Sequence, residues 1–312
     1  MRGKRSLGVV VAAYNAADLL DQTLASLAGQ SQTADQIVVV DDASPDETAA
    51  VARRWQAVMP LCVVRQDVNR GVAHTRNVGL AKIDTDLVTF LDGDDVLLPD
   101  HLEVLANQWE RERGIVSARA LFWTPTRSLR PYQRRVRGFR PPRKNQLEQL
   151  LHRNFVFVAS LVAAEAVQAV GGFSVGDRSH DTTADWDLWL RLVIAGQRVT
   201  LAPTPTVLYR VRAGSMAADG DWLLRCEIAQ LERLQPLLPP HALPAAARAI
   251  EQRHAELSLL AALGQDKRTR RGASARLIVG GPHADWRHRV RALAYTLAPT
   301  RASKSLLRRG SW

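Results

Sequence analysis

The sequence predicts an α/β protein with a mostly parallel sheet flanked by helices, followed by a helical C-terminal extension. Two observations predict this fold class. Short apolar runs alternate with segments of helical periodicity through residues 1–123, which is the pattern of consecutive βαβ units. From about Asp221 the chain is helical in pattern, with breaks at Pro236 and Pro239-Pro240.

The elements of the first part follow from local signals. The apolar run Leu7 to Ala13 predicts the first strand. Leu20, Leu24 and Leu27 then recur at helical spacing, and Gly29 ends that helix. Further strands are predicted at 37–40, 61–64, 87–91 and 115–123. The helices between them are predicted to begin at Ser44, near Val72 and at Pro99. At the first of these, Pro45 and Glu47 complete a capping box with Ser44.

The second part is less regular. Residues 124–145 are rich in Arg and Pro without periodicity, which predicts a long basic loop. Trp186, Leu190 and Val193 form a helical stripe, and short strands are predicted at 199–202 and 207–211. We therefore expect a domain at 1–218 and a basic helical region at 219–312. The parts expected within the domain are 1–123, the loop 124–145, and 146–218.

Charge is distributed unevenly along the chain. The net charge is +11, but residues 1–110 carry −7, whereas residues 111–153 carry +10 and residues 221–312 carry +9. The acidic first third is a poor nucleic-acid surface, because neutralising phosphates requires Lys and Arg. It is suited to a cation. The basic zones suit an anionic partner, such as a phosphate-bearing substrate, a membrane face or a nucleic acid.

Composition excludes several classes of protein. Two cysteines rule out a disulfide scaffold and fit a reducing compartment. The longest apolar stretch, Phe155 to Ala164, has ten residues, whereas a membrane-spanning helix needs about 20. We therefore expect a cytoplasmic protein.

Polar residues follow the predicted strands at the point where each strand ends. They are Tyr14-Asn15, Asp41-Asp42, Asn69 and Asp92-Gly93-Asp94-Asp95. Because parallel sheets bind ligands at the carboxyl ends of their strands, this coincidence predicts an active site there.

Asp92 and Asp94 are the candidate metal ligands. On an extended strand end, residues i and i+2 face the same side, roughly 6–7 Å apart. Two carboxylates so placed repel each other unless a cation lies between them, and oxygen ligands suit Mg²⁺ or Mn²⁺ bound to phosphates. A solvated acidic turn is the alternative.

Three other residues have two interpretations each. Asp41 can accept hydrogen bonds from a ribose or base, or can belong to the entry of the next helix. Arg76, in the first turns of a helix, can recognise a phosphate or base, or can lie on a solvated face. Asp185 follows Thr182 at capping-box spacing, so it is either a capping carboxylate or a general base at a helix N-terminus.

The ordered motifs resemble family-2 glycosyltransferases of the GT-A fold, which have a Rossmann-like N-terminal half. The resemblance covers about residues 6–216. It rests on VVVAAYNAADLLDQTLASLAGQS, VVVDDASPDET, NRGVAHTRNVGL, TFLDGDD, GGF, DWDLWLRL and LYRVRAGSM. It implies an inverting transfer of a sugar from a nucleotide diphosphate donor to an acceptor hydroxyl, with residues 1–123 binding the donor and 146–218 the acceptor.

The resemblance also implies a role for each candidate residue. Asp41, beside Ala13 and Tyr14, would meet the base or ribose of the donor, and Arg76 would approach the base or phosphates. Asp94 would hold Mn²⁺ or Mg²⁺, with Asp92 at the ribose or in the metal shell. Asp185 would deprotonate the acceptor hydroxyl, while Tyr209 and Arg210 would close over the diphosphate.

The resemblance has limits. Ala184 and Arg212 stand where the family usually has Glu and His, and His74-Thr75 replace a small pair. No QxxRW motif is present, so a single-addition enzyme is expected. UDP is the donor nucleotide expected from family frequency, and a cell-surface polysaccharide or glycolipid is the expected product.

The basic zones are the candidate sites for an acceptor or a membrane. The loop 124–145 would cover the donor or grip an anionic acceptor. Trp286, Val290, Leu293 and Leu297 share one helical face, beside several Arg residues. Such a helix can lie on an anionic membrane that carries a lipid-linked acceptor, or can dock on the protein itself. A cytoplasmic protein is therefore the expectation, with a peripheral position on the cytoplasmic membrane face as the alternative.

Two other functions match part of the sequence. Asp92-Gly93-Asp94-Asp95-Val96 satisfies the DxDx[TV] pattern of haloacid-dehalogenase-type phosphatases, with Asp92 as nucleophile, although that motif normally ends the first strand. The basic zones and nearby aromatic residues could bind single-stranded nucleic acid. The acidic first third argues against a continuous nucleic-acid track.

Overall fold

The computed structural model describes residues 5–124, 127–131, 144–210 and 220–264. The chain divides into two compact units, with the boundary between Ser215 and Met216. In chain order the first unit contains β1 (Leu7–Ala13), α1 (Ala17–Ala28), β2 (Gln36–Asp41), α2 (Thr48–Arg54), β3 (Leu61–Arg65), α3 (Val72–Leu80), β4 (Leu87–Asp92), β5 (Val96–Leu97), α4 (His101–Arg111), β6 (Ile115–Thr124), β7 (Arg127–Pro131), α5 (Gln146–His152), β8 (Val162–Ala163), α6 (Ala164–Ala169), α7 (Arg178–Thr182), α8 (Ala184–Ile194) and β9 (Val199–Arg210). The second unit contains α9 (Gly220–Leu234) and α10 (Leu243–Gly264).

The main sheet has the strand order β3-β2-β1-β4-β8. The first four strands are parallel, and the short β8 is antiparallel to β4. β1 is buried along its whole length, because neighbouring strands cover both its edges and helices cover the sheet. The predicted α/β architecture with a mostly parallel sheet is confirmed.

A second sheet has the order β5-β9-β6-β7. The predicted strand at 115–123 is present as β6, and it pairs in parallel with β9. β6 also pairs with the segment that leads into β8, through an isolated bridge between Val116 and Leu161. The C-terminal end of β9 thereby lies beside that of β6, with Arg210 paired to Trp123.

Two predictions for this region were wrong. Residues 127–131, predicted as loop, form β7 on the edge of the second sheet. An edge strand tolerates Pro131, which has no backbone N–H to donate. The two strands predicted at 199–202 and 207–211 are one strand, β9. Pro203 and Pro205 interrupt its apolar pattern, and its pairing with β6 shifts register near Arg119.

The predicted capping box at Ser44 was also wrong. α2 begins at Thr48, and the Asp46 carboxylate accepts the Thr48 backbone N–H at 3.1 Å. The Ser44 hydroxyl instead accepts the Asn15 backbone N–H at 3.0 Å. Ser44 therefore ties the loop after β1 to the loop after β2, which is a longer-range contact than a helix cap.

The second unit, where described, is helical as predicted. α9 packs on α10, and Arg253 pairs with Glu227 at 2.6 Å. None of the helices within the described ranges is long and apolar enough to cross a membrane. The predicted amphipathic segment at 286–297 lies outside the described residues.

α3 packs on β1 with no space for a side chain at Gly79. A Cβ atom added there would lie 2.3 Å from Val10 Cγ1, and Val10 is fully buried in the centre of the sheet. This close approach brings α3, which carries Arg76 and Asn77, down onto the sheet.

We predict that Gly79→Ala lowers the free energy of unfolding by about 1–3 kcal/mol, because overpacking outweighs the gain in helix propensity. Urea unfolding followed by circular dichroism measures the change. Gly29→Ala is the matched control, since a Cβ there would make only an ordinary contact at 3.4 Å with Ala25 O. Equal stability of the two variants would contradict the packing argument.

Candidate active site

Strand pairing brings three of the predicted residues to one edge of the main sheet. Ala13 pairs with Asp41 across β1 and β2, and Ala12 pairs with Asp92 across β1 and β4. Tyr14 follows directly and is 48% exposed. The carboxyl ends of β1, β2 and β4 therefore present Tyr14, Asp41 and Asp92 side by side.

Asp41 is a buried carboxylate with one oxygen unsatisfied. Its Oδ1 accepts the Ser44 backbone N–H at 3.1 Å. Its Oδ2 is buried and has no hydrogen-bond partner among the described residues, and Arg65 Nε lies 3.6 Å away. A buried acceptor without a partner costs free energy, so Oδ2 is suited to an N–H from a ligand. Sequence reasoning missed Arg65, whose only signal was its place at the end of β3.

Asp42 shapes the loop before α3. Its two oxygens accept the backbone N–H groups of Arg70 and Gly71 at 2.8 and 2.9 Å, and Gln66 Nε2 at 2.7 Å. Gly71 has φ +87°, and a Cβ atom there would collide with Asp181. Asp42 is therefore a structural residue of the loop.

Asp181, from α7, caps the beginning of α3 from a distance in sequence. Its Oδ1 accepts the Ala73 backbone N–H at 3.0 Å, across 108 residues of chain. Burial raises the pKa of Asp181, and the nearby Arg76 opposes that rise. Sequence reasoning missed this contact, because nothing near Asp181 in the sequence indicates its partner.

Arg76 lies in the middle of the site. Its Nη2 donates to Asp92 Oδ1 at 2.6 Å, and its guanidinium lies 5.3 Å from the centre of the Phe173 ring. Asn77 holds Phe173 in place through two hydrogen bonds to its backbone, each 2.8 Å long. The alternative of a solvated helix face is wrong for Arg76, whose side chain is only 6% exposed.

Asp92, Asp94 and Asp95 concentrate negative charge in one turn. Asp95 is fully buried, and its Oδ1 accepts the Arg210 backbone N–H at 2.9 Å. Burial raises the pKa of Asp95 well above its ordinary value, and the carboxylates of Asp94 and Asp92 raise it further. This mutual repulsion fits a turn that takes a divalent cation. Within the described ranges, no group of three or more His, Cys, Asp and Glu side chains could hold a metal by itself.

Tyr209 and Arg210 end β9 next to that turn. Arg210 donates from Nε to the Asp94 carbonyl at 2.8 Å, and its guanidinium lies 4.1 Å from the centre of the Trp123 ring. The Tyr209 ring meets Phe122 and Phe157 edge-on, at 5.6 and 5.8 Å. Both residues thus lie at the end of β9 that contacts the acidic turn. Their contact with a diphosphate stays a prediction.

Asp185 is the second residue of α8 and is half-buried. Its Oδ1 accepts the Trp186 backbone N–H at 2.7 Å, and its Oδ2 accepts Asn154 Nδ2 at 3.1 Å. The predicted capping box was wrong, because Thr182 donates to the Arg178 carbonyl and the helix begins after Thr183.

The environment of Asp185 suits a proton acceptor. Burial raises the pKa of Asp185, while the Arg76 charge and the two hydrogen bonds lower it in part, and the Asp92 charge raises it. A carboxylate with a raised pKa is a stronger base than an ordinary exposed one. Arg76 therefore acts on two carboxylates with different predicted roles, Asp92 by direct contact and Asp185 by its charge.

Comparison with known proteins identifies the family of this chain. The model of the family "Glycosyl transferase family 2" matches residues 8–170, about half of the chain. The amylovoran biosynthesis glycosyltransferase AmsE of Erwinia amylovora is 30% identical over 66% of this chain and 76% of its own length. The succinoglycan biosynthesis protein ExoU of Rhizobium meliloti is 38% identical over 32% of this chain and 29% of its own.

Two solved structures share the fold. S. aureus TarS 1–349 in complex with UDP-GlcNAc aligns with a TM-score of 0.63 at 16% identity, covering 98% of this chain and 93% of that one. The mannosyltransferase PcManGT of Pyrobaculum calidifontis, in complex with GDP-Man and Mn²⁺, aligns with a TM-score of 0.55 at 22% identity, covering 95% and 88%. The GT-A-type fold is thus confirmed, and the phosphatase alternative loses its basis. The chain belongs to glycosyl transferase family 2 and is a glycosyltransferase.

Proposed function

We propose that this glycosyltransferase is an inverting, divalent-metal-dependent enzyme. In this proposal it moves a sugar from a nucleotide diphosphate, with UDP as the first choice, to an acceptor hydroxyl in cell-surface polysaccharide or glycolipid synthesis. One observation carries the proposal: Arg76 lies against Asp92 of the acidic turn, and its charge also acts on Asp185. The three residues thereby link the proposed donor site to the proposed base.

Asp41 favours donors with a particular kind of base. Its buried Oδ2 takes only a hydrogen-bond donor when the carboxylate is ionised. Uracil, thymine and guanine each present a ring N–H that could donate to this oxygen, whereas cytosine and adenine could reach it only through their exocyclic amino groups. This chemistry supports UDP, dTDP or GDP donors. The neighbours in complex with UDP-GlcNAc and GDP-Man carry bases of this kind.

Asp94 and Asp92 are the residues that would hold Mn²⁺ or Mg²⁺. The repulsion within the acidic turn supports this assignment, as does the neighbour in complex with Mn²⁺. When bound, the metal would neutralise charge on the departing diphosphate. Arg76 keeps Asp92 in place through its 2.6 Å contact, and Arg210 holds the backbone of Asp94, so the chain itself orients the carboxylate pair.

Asp185 would act as the base. It removes the proton from the acceptor hydroxyl while the acceptor oxygen forms a bond to the anomeric carbon. The bond from that carbon to the diphosphate breaks on the opposite face, and its electron pair leaves with the diphosphate, which inverts the configuration. Because the ionised form is needed, activity should fall as pH drops through the raised pKa of Asp185.

Calorimetric titration with UDP, GDP and dTDP, with and without Mn²⁺, tests the donor site. We expect one of the three to bind with the metal, and Asp94→Ala to weaken that binding at least about tenfold, since one oxygen ligand is lost. Asp67→Ala is the control, because this carboxylate is exposed and lies outside the acidic turn. Metal-independent binding of all three nucleotides would contradict the proposed site.

We also propose that the enzyme lies at the cytoplasmic membrane face through its C-terminal region. The net charge of +9 over residues 221–312 supports attraction to anionic lipids. The basic loop 124–145, with its excess of Arg, is proposed to cover the donor or to grip an anionic acceptor. A glycan or a lipid-linked molecule is the acceptor class that fits both proposals.

Liposome flotation tests the membrane proposal. The chain should float with vesicles containing phosphatidylglycerol and stay behind with phosphatidylcholine alone, because the attraction is electrostatic. Replacing Arg287, Arg289 and Arg291 together by Ala should reduce flotation severalfold. Equal flotation with both vesicle types would refute the electrostatic attraction.

A further inference from the structure

The segment after α5 reaches the carboxylate of Asp185. Asn154 donates from Nδ2 to Asp185 Oδ2 at 3.1 Å, and its Oδ1 accepts the Val156 backbone N–H at 3.1 Å. Rotating the amide would exchange its two ends, but only this orientation gives the Val156 N–H an acceptor. The donor end of the Asn154 amide therefore faces the carboxylate.

Packing holds Asn154 and Asp185 in one body. Trp186, next to Asp185, is buried and donates from Nε1 to the Leu150 carbonyl at 2.8 Å, which joins α8 to α5. The segment from Phe155 to Ser160, directly after Asn154, is buried as well. The backbone next to both residues is therefore fixed by packing.

We propose that Asn154 is a positioning residue for Asp185: its amide N–H holds the carboxylate in one orientation and favours the charged form that accepts a proton. The inference rests on the proposed function, since it takes Asp185 as the base. One carboxylate oxygen is held by Trp186 and the other by Asn154, so rotation of the carboxylate is restricted. A hydrogen bond to an ionised carboxylate is among the stronger ones in proteins.

Two other charged groups act on Asp185. The Arg76 guanidinium, on α3, favours the ionised form, and the Asp92 carboxylate at the end of β4 opposes it. Arg76 is already in direct contact with Asp92. Asn154 differs from Arg76 in that it supports Asp185 without touching the acidic turn, so its contribution can be measured separately.

The first test measures the titration of Asp185 directly and needs neither donor nor acceptor. The carboxyl ¹³C signal of Asp185, assigned by its absence in Asp185→Asn, is followed against pH in the full chain. Asn154→Ala should raise the pKa of Asp185 by about one unit, because a hydrogen bond to the charged form is lost. Asn107→Ala, at an exposed position on α4, is the matched control and should leave the titration unchanged.

The second test uses Asn154→Asp, which keeps the size of the side chain and an acceptor for Val156. It places an oxygen where the N–H was, so two carboxylates would face each other. The low-pH limb of nucleotide release from a UDP-sugar, GDP-sugar or dTDP-sugar should move up by more than one pH unit, with KM for the donor little changed. Asn107→Asp controls for the added charge.

The outcomes separate this inference from the proposed function. A titration of Asp185 that is the same in Asn154→Ala and wild type, or an unchanged pH profile in Asn154→Asp, would overturn the positioning role, even if Asp185→Asn lacks turnover. Full turnover in Asp185→Asn would overturn the base itself and the inference with it. Higher apparent pKa values in both Asn154 variants, with normal circular dichroism spectra, would support the proposal.

Discussion

The ion pair between Arg76 and Asp92 is the contact on which the rest of the site depends. The Arg76 side chain is almost completely buried, and a buried guanidinium is costly unless a carboxylate pairs with it. The Phe173 ring lies beside it, and Asn77 fixes the backbone of Phe173. Gly172 permits this contact, because its φ is +70° and a Cβ atom added there would lie only 2.5 Å from Asn77 Oδ1.

The ion pair also explains how distant parts of the chain act together. Asp92 ends a central strand, Arg76 lies on a helix held tightly to that sheet, and Asp185 lies in the first turn of a helix more than 90 residues after both. A single positive charge stabilises the carboxylate of the acidic turn and favours ionisation of the proposed base. The proposed donor-side residue Asp92 and the proposed base Asp185 therefore share the electrostatic influence of Arg76.

The sequence was informative wherever function depends on local pattern. Parallel strands place their carboxyl ends at one edge, so Asp41 and Asp92 could be located from apolar runs alone. Prediction from the sequence failed for contacts between residues that are far apart in the chain. Asp181 caps a helix 108 residues away, and Asn154 meets Asp185 across 31 residues, and neither pair leaves a periodic signal.

The errors in the fold have the same origin. β9 was divided in two because Pro203 and Pro205 interrupt its pattern, yet pairing with β6 holds it together as one strand. Residues 127–131 contain no apolar alternation, and their extended form comes from the free edge of β6. Ser44 and Thr182 have the spacing of helix caps, but their hydroxyls have other partners. The Ser44 hydroxyl accepts the Asn15 backbone N–H, and the Thr182 hydroxyl donates to the Arg178 carbonyl.

The proposed function requires a donor site and, separate from it, a base at Asp185. Measuring nucleotide binding and turnover side by side in Asp185→Asn tests it most directly. We expect unchanged metal-dependent nucleotide binding with turnover reduced by about 10³-fold, since only proton removal is lost. Turnover within a few-fold of wild type, or loss of nucleotide binding together with turnover, would contradict it.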